Sequence, residues 1–306
     1  MGISQYIKEI GRGPRGSKPL TREQAADLFG QLLDGNVTDL EIGAFCLAMR
    51  IKGETPEEMC GFLDAAHSRM ALFPASDRPV IVLPSYNGAR KLPVLTPLLA
   101  LLLAREGLPV LLHGMRTEAR RTLASDVLLA LGVPALTAPE KIATGSVAHI
   151  ETGYLHAALA RLLKVREVVG LRNAGHSIVK LMNPCAGPAV VVTSYTHSEY
   201  YDMLQATFGA LHMTALLSRG LEGEVATDPR RTPRYDAFVA GVHQLLQEQQ
   251  PGTAADVPGL PTEIDIDTTA RYTQDVLDGR LPVPPALAQQ VEHILHLAAQ
   301  TPPHAP

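Results

Sequence analysis

The stretch VIVLPSYNGARKLPVLTPLLALLLAREGLPVLLHG, residues 80–114, decides the fold class. Val80 to Leu83 is a run of four apolar residues, three of them β-branched, which marks a short strand buried on both faces. Pro84 to Lys91 is rich in turn formers and reads as a loop. Thr96-Pro97 then opens a leucine-rich helix that stops near Gly107. Leu108 to Leu112 forms a second strand, ending at His113-Gly114. A strand, a helix and a second strand in this order make a crossover unit, which implies parallel strands with a right-handed connection. Downstream, strands are expected at Ala189–Thr193 and Met213–Leu217, and helices at 118–131, 154–164, 199–212 and 286–299. Upstream, the chain reads as helices. Thr21-x-x-Gln24 and Thr38-x-x-Glu41 are capping boxes, Gly35 ends the first of these helices, and Thr55-Pro56-Glu57-Glu58 starts another. Leu40, Ala44, Leu47, Ala48 and Ile51 recur at helical spacing and are expected to face a core. The expectation is an α/β protein in two parts. A small helical N-terminal subdomain covers residues 1–75. A larger α/β domain with a mostly parallel central sheet covers residues 76–306 and ends in an acidic region.

Composition narrows the function. The 306 residues are 46% hydrophobic and 19% charged, enough apolar material for a core and unlike a disordered chain. The longest stretch dominated by apolar residues, Leu92 to Ala104, has 13 residues and two prolines, too short for a bilayer. No basic and then apolar leader opens the chain, and a cytoplasmic protein without a membrane partner is expected. Cys46, Cys60 and Cys185 are widely spaced and odd in number, which argues against a disulfide framework or a structural zinc site. The net charge of −4 is uneven. Residues 1–79 carry nine Lys/Arg against eleven Asp/Glu, residues 80–235 sixteen against eleven, and residues 236–306 two against nine. The middle can meet a polyanion while the tail repels it, or the imbalance is an ordinary solvated surface.

In α/β sheets ligands sit beyond the carboxyl ends of the strands, so the loops there are the candidates. The loop after Leu83 holds one glycine, too few for a backbone phosphate cradle of the usual kind, with Arg90 and Lys91 as its cations. Ser85, Asn87 and Gly88 of that loop are read as lining a cleft. His113-Gly114-Met115-Arg116 follows the next strand, with Arg120 and Arg121 close behind. His113 and Gly114 are read as cleft-lining, although a lone His beside an apolar strand is more often structural. Arg172-Asn173-Ala174-Gly175-His176-Ser177 and Lys180 make a third polar group, from which Asn173 and His176 are also assigned to the cleft. Glu222 and Glu224, after the last expected strand, read either as weak magnesium ligands or as a solvated turn. Cys185 has no activating partner and reads as an inert thiol. The sequence contains no GxSxG, HExxH or GxxxxGK[ST], and no GxGxxG after a strand.

This order of loops resembles the anthranilate phosphoribosyltransferase family, which shares its fold with class II pyrimidine nucleoside phosphorylases. The resemblance runs over roughly residues 5 to 235. It is carried by the helical opening, the unit at 80–106, His113-Gly114-x-Arg116, Ser125-Asp126-Val127-Leu128 to Leu131-Gly132-Val133, and Arg172 to Asn183-Pro184. The departures fall on the chemistry. Active members hold diphosphate with a Gly-Thr-Gly-Gly-Asp loop; here the position reads Pro84-Ser85-Tyr86-Asn87-Gly88-Ala89-Arg90-Lys91. In the family's Lys-His-Gly-Asn-Arg-Ser loop, Leu112, Met115 and Thr117 replace the Lys, Asn and Ser. The Asp-Glu pair for magnesium is reduced to Glu222-Gly223-Glu224. Arg-Thr-Ile-Phe-Asn becomes Arg172-Asn173-Ala174-Gly175-His176, and a Pro further on becomes Lys180. PSYNGARK, LTPLLA, RNAGHS and RGLEGEV resemble the divergent YbiB-type branch, which the resemblance associates with dimeric, sequence-nonspecific nucleic-acid binding.

Two functions follow as expectations. The first is a DNA or RNA binder with no cofactor, no catalytic residues and no base readout. It uses Arg90, Lys91, Arg116, Arg172 and Lys180 where the enzymes hold phosphates, with Arg12, Arg15 and Lys18 of the glycine-rich N-terminal loop adding charge. On this reading Arg90, Lys91 and Lys180 face one groove with Arg116 and Arg172 at its floor. The second is a pentosyltransferase that uses phosphoribosyl pyrophosphate or a related sugar phosphate on an unknown acceptor. It would need magnesium and backbone donors to stabilise the leaving diphosphate. The resemblance also implies a homodimer through the first helices, where Tyr6, Ile7 and Ile10 are expected to leave an apolar stripe exposed.

Overall fold

The computed structural model describes residues 2–13, 15–118, 120–254 and 256–302. Four helices come first: α1 (Ser4–Ile10), α2 (Arg22–Leu33), α3 (Asp39–Lys52) and α4 (Pro56–His67). Then follow β1 (Val80–Ser85), α5 (Thr96–Arg105), β2 (Val110–Gly114), α6 (Ala124–Ala130), β3 (Ala135–Leu136), β4 (Val147–Glu151), α7 (Thr152–Leu155), α8 (Ala157–Val169) and α9 (Gly175–Ile178). The chain continues with β5 (Ala189–Tyr195), α10 (Glu199–Ala210), β6 (Ala215–Arg219), β7 (Tyr235–Val239), β8 (Val242–Gln247), α11 (Ile266–Leu277) and α12 (Pro285–Gln300). No helix of the described residues is long and apolar enough to cross a membrane.

The strands form one eight-stranded sheet in the order β3-β4-β2-β1-β5-β6-β7-β8. The pairs from β3 through β6 are parallel, and β7 and β8 add antiparallel to one edge. This is the expected α/β architecture. Alternate residues of the central strands serve two cores. Val80, Val82, Leu111, Val191 and Leu217 face the core shared with α2, α3, α4 and α8, where Phe29, Phe45 and Phe62 cluster. Ile81, Leu83, Val110, Val190, Val192 and Leu216 face α5, α11 and α12. The capping boxes of α2, α3 and α4 all close, each threonine accepting from the N–H three residues on.

Several expectations change. The apolar spacing on α3 does not face a core: Leu40 is 84% exposed, Leu47 47% and Ile51 64%. The helix buries Phe45, Cys46 and Met49 instead. The stripe on α1 is largely covered, because Ile3 and Ile10 pack into the core and the Tyr6 hydroxyl donates to Asp27 at 2.5 Å. The helix expected over 118–131 shortens to Ala124–Ala130, since Glu118 and Arg121 are tied in ion pairs and Thr122 bridges to Ala89. β4, β7, β8 and α11 carried no sequence expectation. The acidic end is not an appendage: Leu287, Ile294 and Leu297 of α12 are fully buried against the sheet.

Candidate anion-binding site

Parallel pairing brings the carboxyl ends of β1, β2, β5 and β6 to one edge of the sheet. There the loop after β1 grips the loop after β6. The Glu224 carboxylate, buried, accepts from Ser85 Oγ at 2.7 Å, Thr96 Oγ1 at 3.0 Å, Asn87 N at 3.0 Å and Gly88 N at 2.8 Å. One oxygen of Glu222 accepts from the N–H groups of Arg90 and Lys91 at 2.8 and 2.9 Å. Its other oxygen lies 3.5 Å from Arg90 Nε and 3.9 Å from Arg121. Asn87 Nδ2 donates to Glu222 O at 2.7 Å, and Lys180 Nζ donates to Gly223 O at 3.1 Å. The backbone is bent to allow this. Glu222 holds φ 56° and Gly223 φ 83°, and a Cβ on Gly223 would lie 1.9 Å from Asn87 Nδ2. Only glycine fits between these two loops.

Glu222 and Glu224 do not fit a magnesium site. Both Glu224 oxygens and one Glu222 oxygen accept from N–H or O–H donors, the other Glu222 oxygen faces Arg90 and Arg121, and no group of three or more side chains suited to a metal occurs among the described residues. They are not a solvated turn either, because Glu224 is buried and both carboxylates are hydrogen-bonded across the sheet edge.

A second cluster gathers around Glu118. Its carboxylate meets Arg166 at 2.9 Å, Arg121 at 3.0 Å and Arg172 at 3.4 Å. Burial raises its pKa, but Arg166 and Arg121 outweigh this and hold it below the usual carboxylate range. Arg116 is paired with Asp126 and also donates to Arg121 O at 3.0 Å. Lys180 is pulled down to about 8 by burial, a shift that Glu224 opposes. The single groove expected from the sequence therefore does not form as read. Lys180 turns inward to Gly223, Arg116 to Asp126 and Arg172 to Glu118, while Arg90 and Lys91 remain outward.

Arg172, Asn173, His176 and Lys180 do share a cleft of about 420 Å³, which also takes in Arg50 of α3, the end of β5 and the start of α10. His176 is pushed down to about 3, chiefly by burial and then by Arg172, and its Nε2 has no hydrogen-bond partner. Asn173 is a brace, donating from Nδ2 to Leu162 O at 2.8 Å and accepting from Gly175 N at 3.0 Å. His113 and Gly114 are not cleft-lining. His113 is fully buried, its Nδ1 2.8 Å from the Tyr86 hydroxyl, and burial pushes it down to about 3. Gly114 is a point of close approach, where a Cβ would lie 1.9 Å from Ser85 O. Ser85, Asn87 and Gly88 line the filled Glu224 cradle, not open solvent. Arg12 pairs with Glu9 at 2.8 Å, while Arg15 and Lys18 are exposed. Cys185 is buried and pushed up to about 12, which fits an inert thiol.

Sequence reasoning missed three members. Thr96 reads as a helix cap, but Leu95 holds that position and the Thr96 hydroxyl serves Glu224. Glu118 carries no motif, and its three arginines converge only in the fold. Arg219 ends β6 exposed, with no carboxylate partner among the described residues.

Residues 4–70 match the family model for the helical bundle domain of a glycosyl transferase family. The chain is 36% identical over 298 residues to the uncharacterized protein YbiB of Escherichia coli K12, covering 95% of this chain and 92% of that one. It is 28% identical over 295 residues to an anthranilate phosphoribosyltransferase of Persephonella marina, covering 91% and 83%. Among solved structures, the anthranilate phosphoribosyltransferase of Thermus thermophilus superposes with a TM-score of 0.73 at 21% identity, over 96% of this chain and 87% of that one. The likeness at that identity is one of fold.

Proposed function

Because this chain belongs to the anthranilate phosphoribosyltransferase-like family, we propose that it is a sequence-nonspecific nucleic-acid-binding protein, cytoplasmic and homodimeric, built on that fold without the family's transfer chemistry. One observation carries the reading: at the sheet edge where this fold presents ligand loops, the small anion cradle is already filled by the chain's own Glu224, while cations stand outward around it. Arg90 is 63% exposed along its side chain, and Lys91, Arg120 and Arg219 are exposed. Such groups suit a backbone of repeated phosphates and read no base. The acids of residues 236–306 sit mainly on α11 and its neighbouring loops, packed with α12 against one face of the sheet, which leaves a one-sided footprint.

We propose α3 as the contact of this homodimer. Leu47 and Ile51 flank an apolar groove of about 290 Å³ with Ile7, Ile10, Ala44 and Ala48. An apolar ridge of this kind beside a groove suits an isologous contact with a second copy.

The pentosyltransferase reading keeps one observation, the 420 Å³ cleft with Arg172 and Lys180 on its wall. Against it stand the engaged cradle donors and a carboxylate pair that does not fit magnesium. A mobility-shift titration with random-sequence DNA and RNA at rising salt tests the proposal. Binding that weakens steeply with salt and ignores sequence is expected. Absence of binding at low salt, together with magnesium-dependent release of diphosphate from phosphoribosyl pyrophosphate, would replace it with the pentosyltransferase, for which anthranilate is not the expected acceptor.

A further inference from the structure

We propose that Glu222-Gly223-Glu224 is a built-in anion plugging an otherwise complete oxyanion cradle, and that the cradle takes a phosphate-class anion once the Glu224 carboxylate is removed. This goes beyond nucleic-acid binding and stands whether or not that reading holds.

The cradle has the composition of an oxyanion site. Two hydroxyls and two consecutive backbone N–H groups converge on one carboxylate, each within 3.0 Å. Gly88 at φ 64° turns its N–H inward beside that of Asn87, the arrangement of successive amides that makes an anion-binding concavity. A Cβ there would lie 2.7 Å from Thr122 O, so the turn is specific to glycine. The surrounding charge is also set for more than one anion. Lys180 attracts Glu224 from one side, and Arg90 and Arg121 flank Glu222 from the other, so three cations face two carboxylates.

The plug is held by its own construction. Glu222 adopts a left-handed conformation unfavourable to any residue with a Cβ, and its carboxylate is fixed by the Arg90 and Lys91 amides. That strain positions the next two residues so that Glu224 enters the cradle. Because the carboxylate is tethered, its effective concentration far exceeds that of free phosphate, and the native chain stays closed to small anions. Removing it leaves four inward donors and the Lys180 ammonium without their anion. An entering phosphate offers oxygens to the same donors and carries the missing charge.

The test is thermal unfolding of the full chain with inorganic phosphate against potassium chloride at matched ionic strength. Glu224→Ala should gain a saturable rise of about 2–3 °C at tenfold the phosphate Kd, while wild type gains nothing beyond the chloride control. Adding Ser85→Ala to Glu224→Ala should reduce the gain, which separates the cradle from the exposed cations. Equal phosphate response in wild type and Glu224→Ala, or none in either, overturns the proposal. Where Glu224→Ala does not fold, Glu224→Gln carries the same comparison. Its uncharged amide holds the donors less well, so phosphate must stabilise it more than wild type, and an equal response overturns the proposal.

Discussion

Replacing Arg90 and Lys91 by alanine separates outward cations from the architecture that holds them. Both residues contribute backbone N–H groups to Glu222, at 2.8 and 2.9 Å, and alanine keeps those bonds. What is lost is two exposed charges, one of them shared with Glu222 at 3.5 Å. The Arg90 side chain is mostly exposed and its contact is long, and the nearly buried Glu222 keeps both loop amides with Arg121 nearby, so folding should be little affected. Each cation that neutralises a phosphate contributes about 0.9 to the log–log salt slope, so the double variant should flatten it by up to ~1.8. Over a fourfold change in salt, from about 50 to 200 mM, that slope change means the variant loses roughly twelvefold less affinity than wild type. Lys180→Ala is the internal control. Its ammonium donates to Gly223 O and faces Glu224, so it is not free for a phosphate. It should leave the slope unchanged and lower stability instead. Fluorescence anisotropy with a labelled random-sequence duplex measures both. A full slope in the double variant, or a loss of one unit in Lys180→Ala alone, would refute the assignment of the footprint.

Three further outcomes follow from the same contacts. If the proposed dimer forms through α3, Leu47→Glu combined with Ile51→Glu should yield a monomer by light scattering at micromolar concentration, and a wild-type monomer would overturn the proposed interface. Glu58→Ala should destabilise by about 3–5 kcal/mol in urea titration, because it strands Lys52 (2.5 Å away, both side chains nearly buried) together with the Leu20 and Thr55 amides. His113 and His176, both held near 3, stay neutral in the fold while the unfolded chain protonates near the ordinary value of about 6.5. Stability is therefore present above that value and lost as pH falls towards 3, at about 1.4 kcal/mol per pH unit for each histidine. His113→Asn should remove its share of the loss between pH 6.5 and 5, and a pH-independent wild type would contradict both burial assignments.

How much of this was legible in the sequence depended on how far apart the partners lie. The unit at 80–114 could be read because a buried parallel strand and a leucine-rich helix have different apolar periods within a few residues. The capping boxes were readable for the same reason, being contacts three residues long. The α3 face was misread because apolar spacing shows that a stripe exists, not what covers it. β4 escaped notice because Val147-Ala148-His149-Ile150-Glu151 alternates weakly and is only partly buried. The β7–β8 hairpin turns at Ala240-Gly241, both at positive φ, a tight turn without the usual Asn-Gly signature. His113 looked like a cleft residue because the strand seemed to end before it. In fact β2 runs to Gly114, and the pairing of Pro84 with His113 keeps the imidazole inside. The cradle was the least legible feature, because Ser85 and Glu224 stand 139 residues apart and no local pattern joins them.

Burial also explains why a count of cations along the chain misjudges a footprint. An unpaired charge costs little in water and a great deal inside the protein. The less exposed a cation is at this edge, the more completely the fold satisfies it internally. Lys180 is turned under Gly223, and Arg121, Arg166 and Arg172 close on Glu118. Cations that remain free for a polyanion are those whose exposure removes the need for a partner, such as Lys91, Arg120 and Arg219. The same rule acts on the acids. Glu222 and Glu224 look like spare carboxylates in sequence, yet burial commits both of them to donors on the β1 loop. A basic sequence segment thus divides into an inner set that neutralises the chain's own carboxylates and an outer set that would set the salt dependence of the proposed binding. The inner set should therefore be read in stability and the outer set in affinity. A variant such as Arg166→Ala, which strips one partner from Glu118, should lower the unfolding midpoint while leaving the salt slope of binding in place.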